Sequence, residues 1–338
     1  MDNRFRWLTG FICIITFALL LPAFGASCAP GGYSGPAESI TLGTVLFETA
    51  IPVFIAEDQQ FFTRNGLNIT LRYFDTGPQA INGMLRDEVD IVSPVAEYVL
   101  VGQAMEKAKI KTIGSFDKVD YVVVIGRKDR GITNIPELLG KKTGTIRGTA
   151  LDFCLGRFLE LRGLNITKVT LVNFPSLAQV TDAIVNGDVD AIVSAPPYSD
   201  DALSKLGGNA TSWKAQSGQL IYVLFLGEDE WIIEQRAILE RFLKAIDQAE
   251  DFIIQHPESA RSIAKKKLGL SDDGVSEVWA RNQFALSLDQ SLIAAMADEV
   301  RWMMSNNLTA EKQVPNFNNY IYEDALKAIK PEAVNIIR

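Results

Sequence analysis

Apolar and polar residues alternate through ITLRYF (69–74), fall three and four apart in GPQAINGMLRDE (77–88), and then run together in VDIVS (89–93). Alternation marks a strand with one buried face, the three-and-four spacing a helix, and a short unbroken apolar run a strand buried on both faces. The same order returns in VTLVNF (169–174), PSLAQVTDAIVNGD (175–188) and VDAIVS (189–194). Each series follows the pentapeptide GLNIT, at 66–70 and again at 163–167, and the helix exits agree, DEVDIVS against GDVDAIVS, placing Asp90 and Asp190 just ahead of a strand. Two strand–helix–strand units predict two α/β lobes, with GLNIT opening equivalent units.

Other segments fit this scheme. SITLGTVLF (39–47) reads as a strand, IPVFIAEDQQFF (51–62) as a helix, and GKKTGTIRG (140–148) as a strand turning into the helix TALDFCLGRFLELRG. Beyond Glu230, four stretches between 231 and 307 carry apolar residues at helical spacing. These helices are expected to pack on the first lobe after the chain returns near YVLFLG (222–227), so crossings near 121–127 and 220–226 form the hinge. The resulting division is 39–123 and 222–338 for the first lobe and 124–221 for the second.

Composition narrows the function. The chain has 338 residues, 47% of them apolar, which suits two domains with buried cores. With 33 Lys and Arg against 41 Asp and Glu, the net charge of −8 argues against a nucleic-acid partner. Arg4 and Arg6 precede a largely apolar run from Trp7 to Phe24, and small residues lead to Cys28. Residues 1–27 therefore read as a secretory signal, with an uncleaved membrane anchor as the alternative. Cleavage before Cys28 would leave that cysteine as a lipid anchor; Gly25, standing where lipoprotein signals usually carry Leu, keeps ordinary secretion open. The Gly-, Pro- and Ser-rich stretch 28–38 is expected to be a flexible tether.

In α/β sheets, ligands gather outside the carboxyl ends of strands, where loops feed helix starts. That selects the turns Phe47–Pro52, Thr76–Gln79 (with Gly77), Ser93–Glu97, Gly148–Asp152 and Ser194–Tyr198. RGTALD presents backbone N–H groups at a helix start, and Ser93-Pro94 reads as a cap followed by proline in the first helical turn. Phe47, Tyr198 and Phe116 are candidate apolar walls. Glu48, Glu97 and Asp152 either face the cleft, and then select a ligand with a positive or donating group, or serve as a helix cap and solvated surface. Catalysis has little support: the single histidine, His256, sits at a helix end, Cys154 lies on an apolar helix face, and no metal cluster, Walker loop or dinucleotide fingerprint is present.

The order FDTGPQAINGMLRDEVDIVS, SPVAEYVLVGQA, GITNIPELLGKKTGTIRGTALDF, IVNGDVDAIVSAPPYSDDAL and LKAIDQAEDFIIQHPESA resembles the nitrate/sulfonate/taurine-type solute-binding proteins of ABC transporters, a superfamily that includes thiamine-pyrimidine synthesis and binding proteins. The resemblance runs from about residue 40 to 325. It implies a two-lobed α/β periplasmic-binding-protein (Venus-flytrap) fold outside the cytoplasmic membrane, monomeric and without cofactor, that closes on a small solute and delivers it to a permease and its ATPase. Sulfonate, taurine, nitrate and aminopyrimidine are the implied ligand types. One half-site is expected to hold Phe47, Glu48, Thr49, Gly77, Ser93 and Glu97, the other Gly148, Thr149, Asp152, Ser194 and Tyr198. GTALD occupies the place of the family's anion-receiving helix start. Ser194 stands where sulfonate and taurine binders commonly carry tryptophan, a departure from a simple sulfonate site. The alternatives are a sensor that presents its ligand without transport and a pyrimidine-synthesis-like enzyme.

Overall fold

The structure, a computed structural model, describes residues 33–216 and 218–338; the signal segment 1–27, Cys28 and the tether up to residue 32 lie outside the described residues. Tyr33 is already seated. Its N–H donates to the Arg64 carbonyl at 3.2 Å and the Arg241 guanidinium lies over its ring at 4.2 Å, so the last part of the expected tether is held against the body.

Strand β1 (Glu38–Thr44) leads through a turn to α1 (Ile51–Asp58) and α2 (Phe61–Arg64). The single helix expected over 51–62 is broken because Gln60 takes a left-handed conformation, φ 56°. Then follow β2 (Leu67–Tyr73), α3 (Gly77–Met84), β3 (Ile91–Ala96), α4 (Glu97–Met105) and β4 (Ile110–Val119). The second lobe contains β5 (Val123–Arg127), β6 (Lys142–Thr145), α5 (Ala150–Glu160), β7 (Thr170–Asn173), α6 (Leu177–Asn186), β8 (Ala191–Ser194), α7 (Tyr198–Leu206) and β9 (Ala210–Lys214). The chain returns in β10 (Ile221–Glu228) and continues as α8 (Asp229–Glu234), α9 (Arg236–Gln255), α10 (Pro257–Leu268), α11 (Asp272–Arg281), α12 (Gln290–Ser305) and α13 (Asp324–Ile329). Strands β4, β5 and β9 have no counterpart in the elements read from the sequence.

The two five-stranded sheets share one topology, β2-β1-β3-β10-β4 and β7-β6-β8-β5-β9. In each, three parallel strands come from two consecutive βαβ units, and the fourth position is an antiparallel strand joined to the other sheet by a connection. The equivalence reaches single hydrogen bonds. Asp90 Oδ2 accepts the Thr41 N–H at 2.7 Å and Asp190 Oδ2 the Lys142 N–H at 3.0 Å, each carboxylate closing the start of a central strand. The Phe74 N–H donates to Thr44 at 2.8 Å and the Phe174 N–H to Thr145 at 2.9 Å.

The repeated pentapeptide keeps only half of this symmetry. Gly66 and Gly163 both end a helical segment with φ near +70° (71° and 72°), a region that favours glycine. After Gly66 the chain enters β2 at once. After Gly163, Asn165 Oδ1 accepts the Thr167 N–H at 2.8 Å, a short turn forms, and β7 begins only at Thr170. The pentapeptides thus match as helix exits and not as strand starts.

The core of the first lobe is aromatic: Phe116 stacks on Phe225 at 4.1 Å, Phe225 meets Phe242 edge-on, and Phe242 stacks on Phe62. Phe116, a candidate cleft wall, is therefore a core residue. Helix α9 packs on α1 and α13, α10 on α1, and α12 on α4, so the C-terminal helices cover the first lobe.

The connections between the sheets run between β4 and β5 and between β9 and β10, so the expected crossings at 121–127 and 220–226 lie mostly within β5 and β10, whose pairing needs extend the strands over them. Gln216 ties the two connections together. Its Oε1 accepts the N–H groups of Tyr121 (2.7 Å) and Val122 (2.8 Å), and its Nε2 donates to the carbonyls of Val119 (2.7 Å) and Gln219 (2.9 Å).

Candidate functional site

A cavity of about 300 Å³ lies where the carboxyl ends of strands from both sheets feed helix starts. Each of the five turns selected from the sequence contributes at least two residues: Phe47 and Thr49; Thr76, Gly77 and Pro78; Pro94 and Ala96; Thr149, Ala150 and Leu151; Ala195 and Tyr198. A sixth, Ser176–Ala178, completes the rim. The internal repeat identifies it: FDTGPQ and FPSLAQ occupy equivalent places, and Thr76 and Ser176 cap α3 and α6 alike, accepting the Gln79 and Gln179 N–H groups at 3.4 Å. The first connection supplies Tyr121 and the start of β10 supplies Ile221, which no motif marks.

The walls are apolar and aromatic. Phe47 and Tyr121 meet at 5.7 Å with their rings inclined by 75°, and Phe74, Val99, Ile146 and Val223 extend this surface. Among the described residues no Lys, Arg or His lines the cavity, and Asp75, exposed at the rim, is the one carboxylate. The favourable field for an acceptor comes from helix starts: residues at the beginning of α3, α4, α5, α6 and α7 face the cavity, and the first-turn N–H groups carry partial positive charge. Thr149 caps α5, accepting the Leu151 N–H at 3.4 Å and donating its hydroxyl to the Ile146 carbonyl at 2.7 Å. Burial, then the nearby Glu48 carboxylate, pushes the Tyr121 phenol well up, so it remains an O–H donor. At the rim Gln79 Nε2 reaches the Pro175 carbonyl of the second lobe at 3.5 Å, while its Oε1 accepts the Asp75 N–H at 3.2 Å.

Of the candidate residues, Phe47, Thr49, Gly77, Thr149 and Tyr198 line this cavity. The rest stand behind it. Glu48 is turned into the protein, where Arg281 Nε and a terminal nitrogen hold its carboxylate at 2.7 and 2.6 Å and Asn282 Nδ2 adds a bond at 3.0 Å. Glu97 is 1% exposed and accepts the Tyr222 N–H at 3.0 Å. Burial raises its pKa to about 8, and Glu299, buried with it, is pushed up by burial and by Glu97. Neither glutamate of the candidate set is solvated, because α11 and β10 cover them. Asp152 serves its own helix start: it accepts the Gly148 N–H at 2.9 Å, Arg147 Nε at 3.0 Å and the Thr145 hydroxyl at 3.3 Å, and burial still raises its pKa. Gly148 and Asp152 line a separate hollow beside Trp302.

Ser93 and Ser194 are buried strand residues whose hydroxyls have no hydrogen-bond partner among the described residues. Ser93 does not cap α4, since the strand continues through Pro94 to Ala96, which takes the cap position. Cys154 is buried on α5 with its thiol pushed well up by burial, and exposed His256 rests on Phe252 between α9 and α10. Both lie outside the cavity lining. No group of His, Cys, Asp and Glu among the described residues is arranged to hold a metal ion.

Comparison with solved structures places this architecture. The alkanesulfonate-binding protein SsuA of Xanthomonas axonopodis pv. citri, bound to MOPS, superposes with a TM-score of 0.74 at 16% identity, over 86% of this chain and 100% of that one. The desulfurization enzyme DSZB shares the fold with a TM-score of 0.60 at 15% identity, over 87% and 99%. A Bacillus subtilis protein provisionally named as aliphatic-sulfonates-binding is 26% identical over 267 residues, 75% of this chain and 76% of its own. The fold is that of the periplasmic binding proteins. Residues 48–260, more than half of the chain, match the family described as NMT1/THI5 like, and the chain belongs to that family.

Proposed function

We propose that this protein is the extracytoplasmic solute-binding component of an ABC importer, capturing a small nitrogen- or sulfur-containing organic solute by closure of two lobes and handing it to a permease. The observation that carries the reading is the cavity lined from both sheets, at the turns where strand ends feed helix starts. Lobes of 39–123 with 222–338 and of 124–221 close about the two connections that Gln216 joins. Phe47, Thr49, Gly77, Thr149 and Tyr198 touch the solute, while Glu48, Ser93, Glu97, Asp152 and Ser194 support the turns from behind. A ligand touching both lobes stabilises the closed state by its differential affinity, and micromolar binding supplies about 8 kcal/mol in total. Cleavage of the leader and lipid attachment at Cys28 would hold the protein at the outer face of the membrane; no helix among the described residues is long and apolar enough to cross it.

The test has two parts. A broad library of small solutes is screened for thermal stabilisation of the purified protein, and each hit is followed by solution X-ray scattering. A ligand that both stabilises and compacts the protein supports the reading; a library without any such ligand refutes it. Stimulation of the partner ATPase in proteoliposomes by liganded protein distinguishes transport from a sensor role.

A further inference from the structure

The cavity walls define a narrower ligand class than the fold does. A volume of about 300 Å³ holds on the order of ten waters at bulk density, so a triatomic or tetra-atomic ion would leave most of it wet against hydrocarbon. Three aromatic residues, Phe47, Tyr121 and Tyr198, line it and remain part-exposed, whereas the Phe74 ring packs against Gly43 and Gly83 and the aromatic side chains of the neighbouring core are closed over. The Phe47 and Tyr121 rings stand at 75° to each other and form a corner that a third ring can complete in stacked or edge-on contact. Ring bodies match this surface better than flexible chains of equal area, because they lose less rotamer freedom on binding.

The polar groups restrict the other end of the ligand. The lining offers donors: the protonated Tyr121 phenol, the Tyr198 hydroxyl, and the first turns of α5 and α6. Thr49 is only 3% exposed and lines the same cavity, adding a buried hydroxyl beside Phe47. Among the described residues the lining has no cationic side chain, and its single carboxylate, Asp75, is solvated at the rim, where an ammonium would gain little. We infer that the ligand is an aromatic compound with one acceptor head, a carboxylate or sulfonate carried on a ring, and without a basic centre. This rests on the solute-binding reading and specifies its substrate class.

Isothermal titration with matched probes tests it: benzoate and benzenesulfonate against cyclohexanecarboxylate and propanesulfonate, with taurine and nitrate as small polar probes. The expected result is that one aryl probe binds at least tenfold more tightly than its saturated counterpart and than taurine or nitrate, and that Phe47→Ala removes at least tenfold of that affinity. The preference between benzoate and benzenesulfonate identifies the head. Equal affinity for saturated and aromatic bodies, tighter binding of taurine or nitrate, loss of binding in Asp75→Asn, or no binding of either aryl probe at millimolar concentration overturns the aryl assignment. The library screen decides the solute-binding reading separately, since a compacting ligand of another class would sink only the aryl assignment. Circular dichroism of Phe47→Ala confirms that any loss is local.

Discussion

Arg281→Met is expected to destabilise the protein and to loosen the cleft, although Arg281 lies outside it. The guanidinium makes a two-point contact with Glu48 at 2.7 and 2.6 Å, and the Glu48 side chain is 4% exposed. Methionine fills much of the same volume and leaves the carboxylate with Asn282 as its remaining side-chain partner, close to Asp117, a fully buried acid whose pKa is raised by burial and by Glu48 itself. Breaking a buried pair from one side costs about 3–5 kcal/mol. Arg281 retains 17% exposure and the Asn282 bond survives, so the lower end, about 3 kcal/mol, is expected. Urea unfolding followed by far-UV circular dichroism measures this: with m unchanged, the midpoint should fall by about 1 M. Glu48 sits between two cavity residues, Phe47 and Thr49, so ligand affinity should fall with stability. Adding Glu48→Gln removes the stranded charge, and the double variant should recover at least half of the loss. A single-variant effect below about 1 kcal/mol, or a double variant no more stable than Arg281→Met, would refute this account of the pair.

Gln216→Leu leaves two N–H groups and two carbonyls of the hinge without their partner, which should cost roughly 2–4 kcal/mol and speed amide exchange at residues 121–122 in hydrogen-exchange mass spectrometry. Gly156→Ala would place a methyl 2.0 Å from the Trp302 ring, an overpacking expected to cost about 1–3 kcal/mol and to shift tryptophan fluorescence. The buried Glu97–Glu299 pair binds protons more tightly folded than unfolded. Stability is therefore fully present below the ordinary carboxylate range and lost as pH rises toward about 8, by at most about 1.4 kcal/mol per pH unit for each proton. Glu97→Gln should flatten that slope in urea titrations between pH 5 and 8.

The sequence by itself determined the two βαβ units, because each buries one helix face on a sheet and local periodicity records which residues are inside. It also marked five of the six turns that form the cavity, since strand ends and helix starts carry their own signals in proline, glycine and the small capping residues. Which side chain of a turn faces the ligand was decided by tertiary structure. Glu48 and Phe47 are neighbours in sequence, and only the distant Arg281 draws one inward while the other lines the cavity. Glu97 is covered by β10 and its charge raises the pKa of buried Glu299, some two hundred residues away, and neither relation leaves a trace in local pattern. Tyr121 enters the site because the chain crosses between the sheets there, Ile221 because β10 begins where the chain returns, and Gln216 holds the crossings together with bonds spanning about a hundred residues of sequence. Periodicity reports what a segment needs to bury; the partners that bury it are chosen by packing across the whole chain.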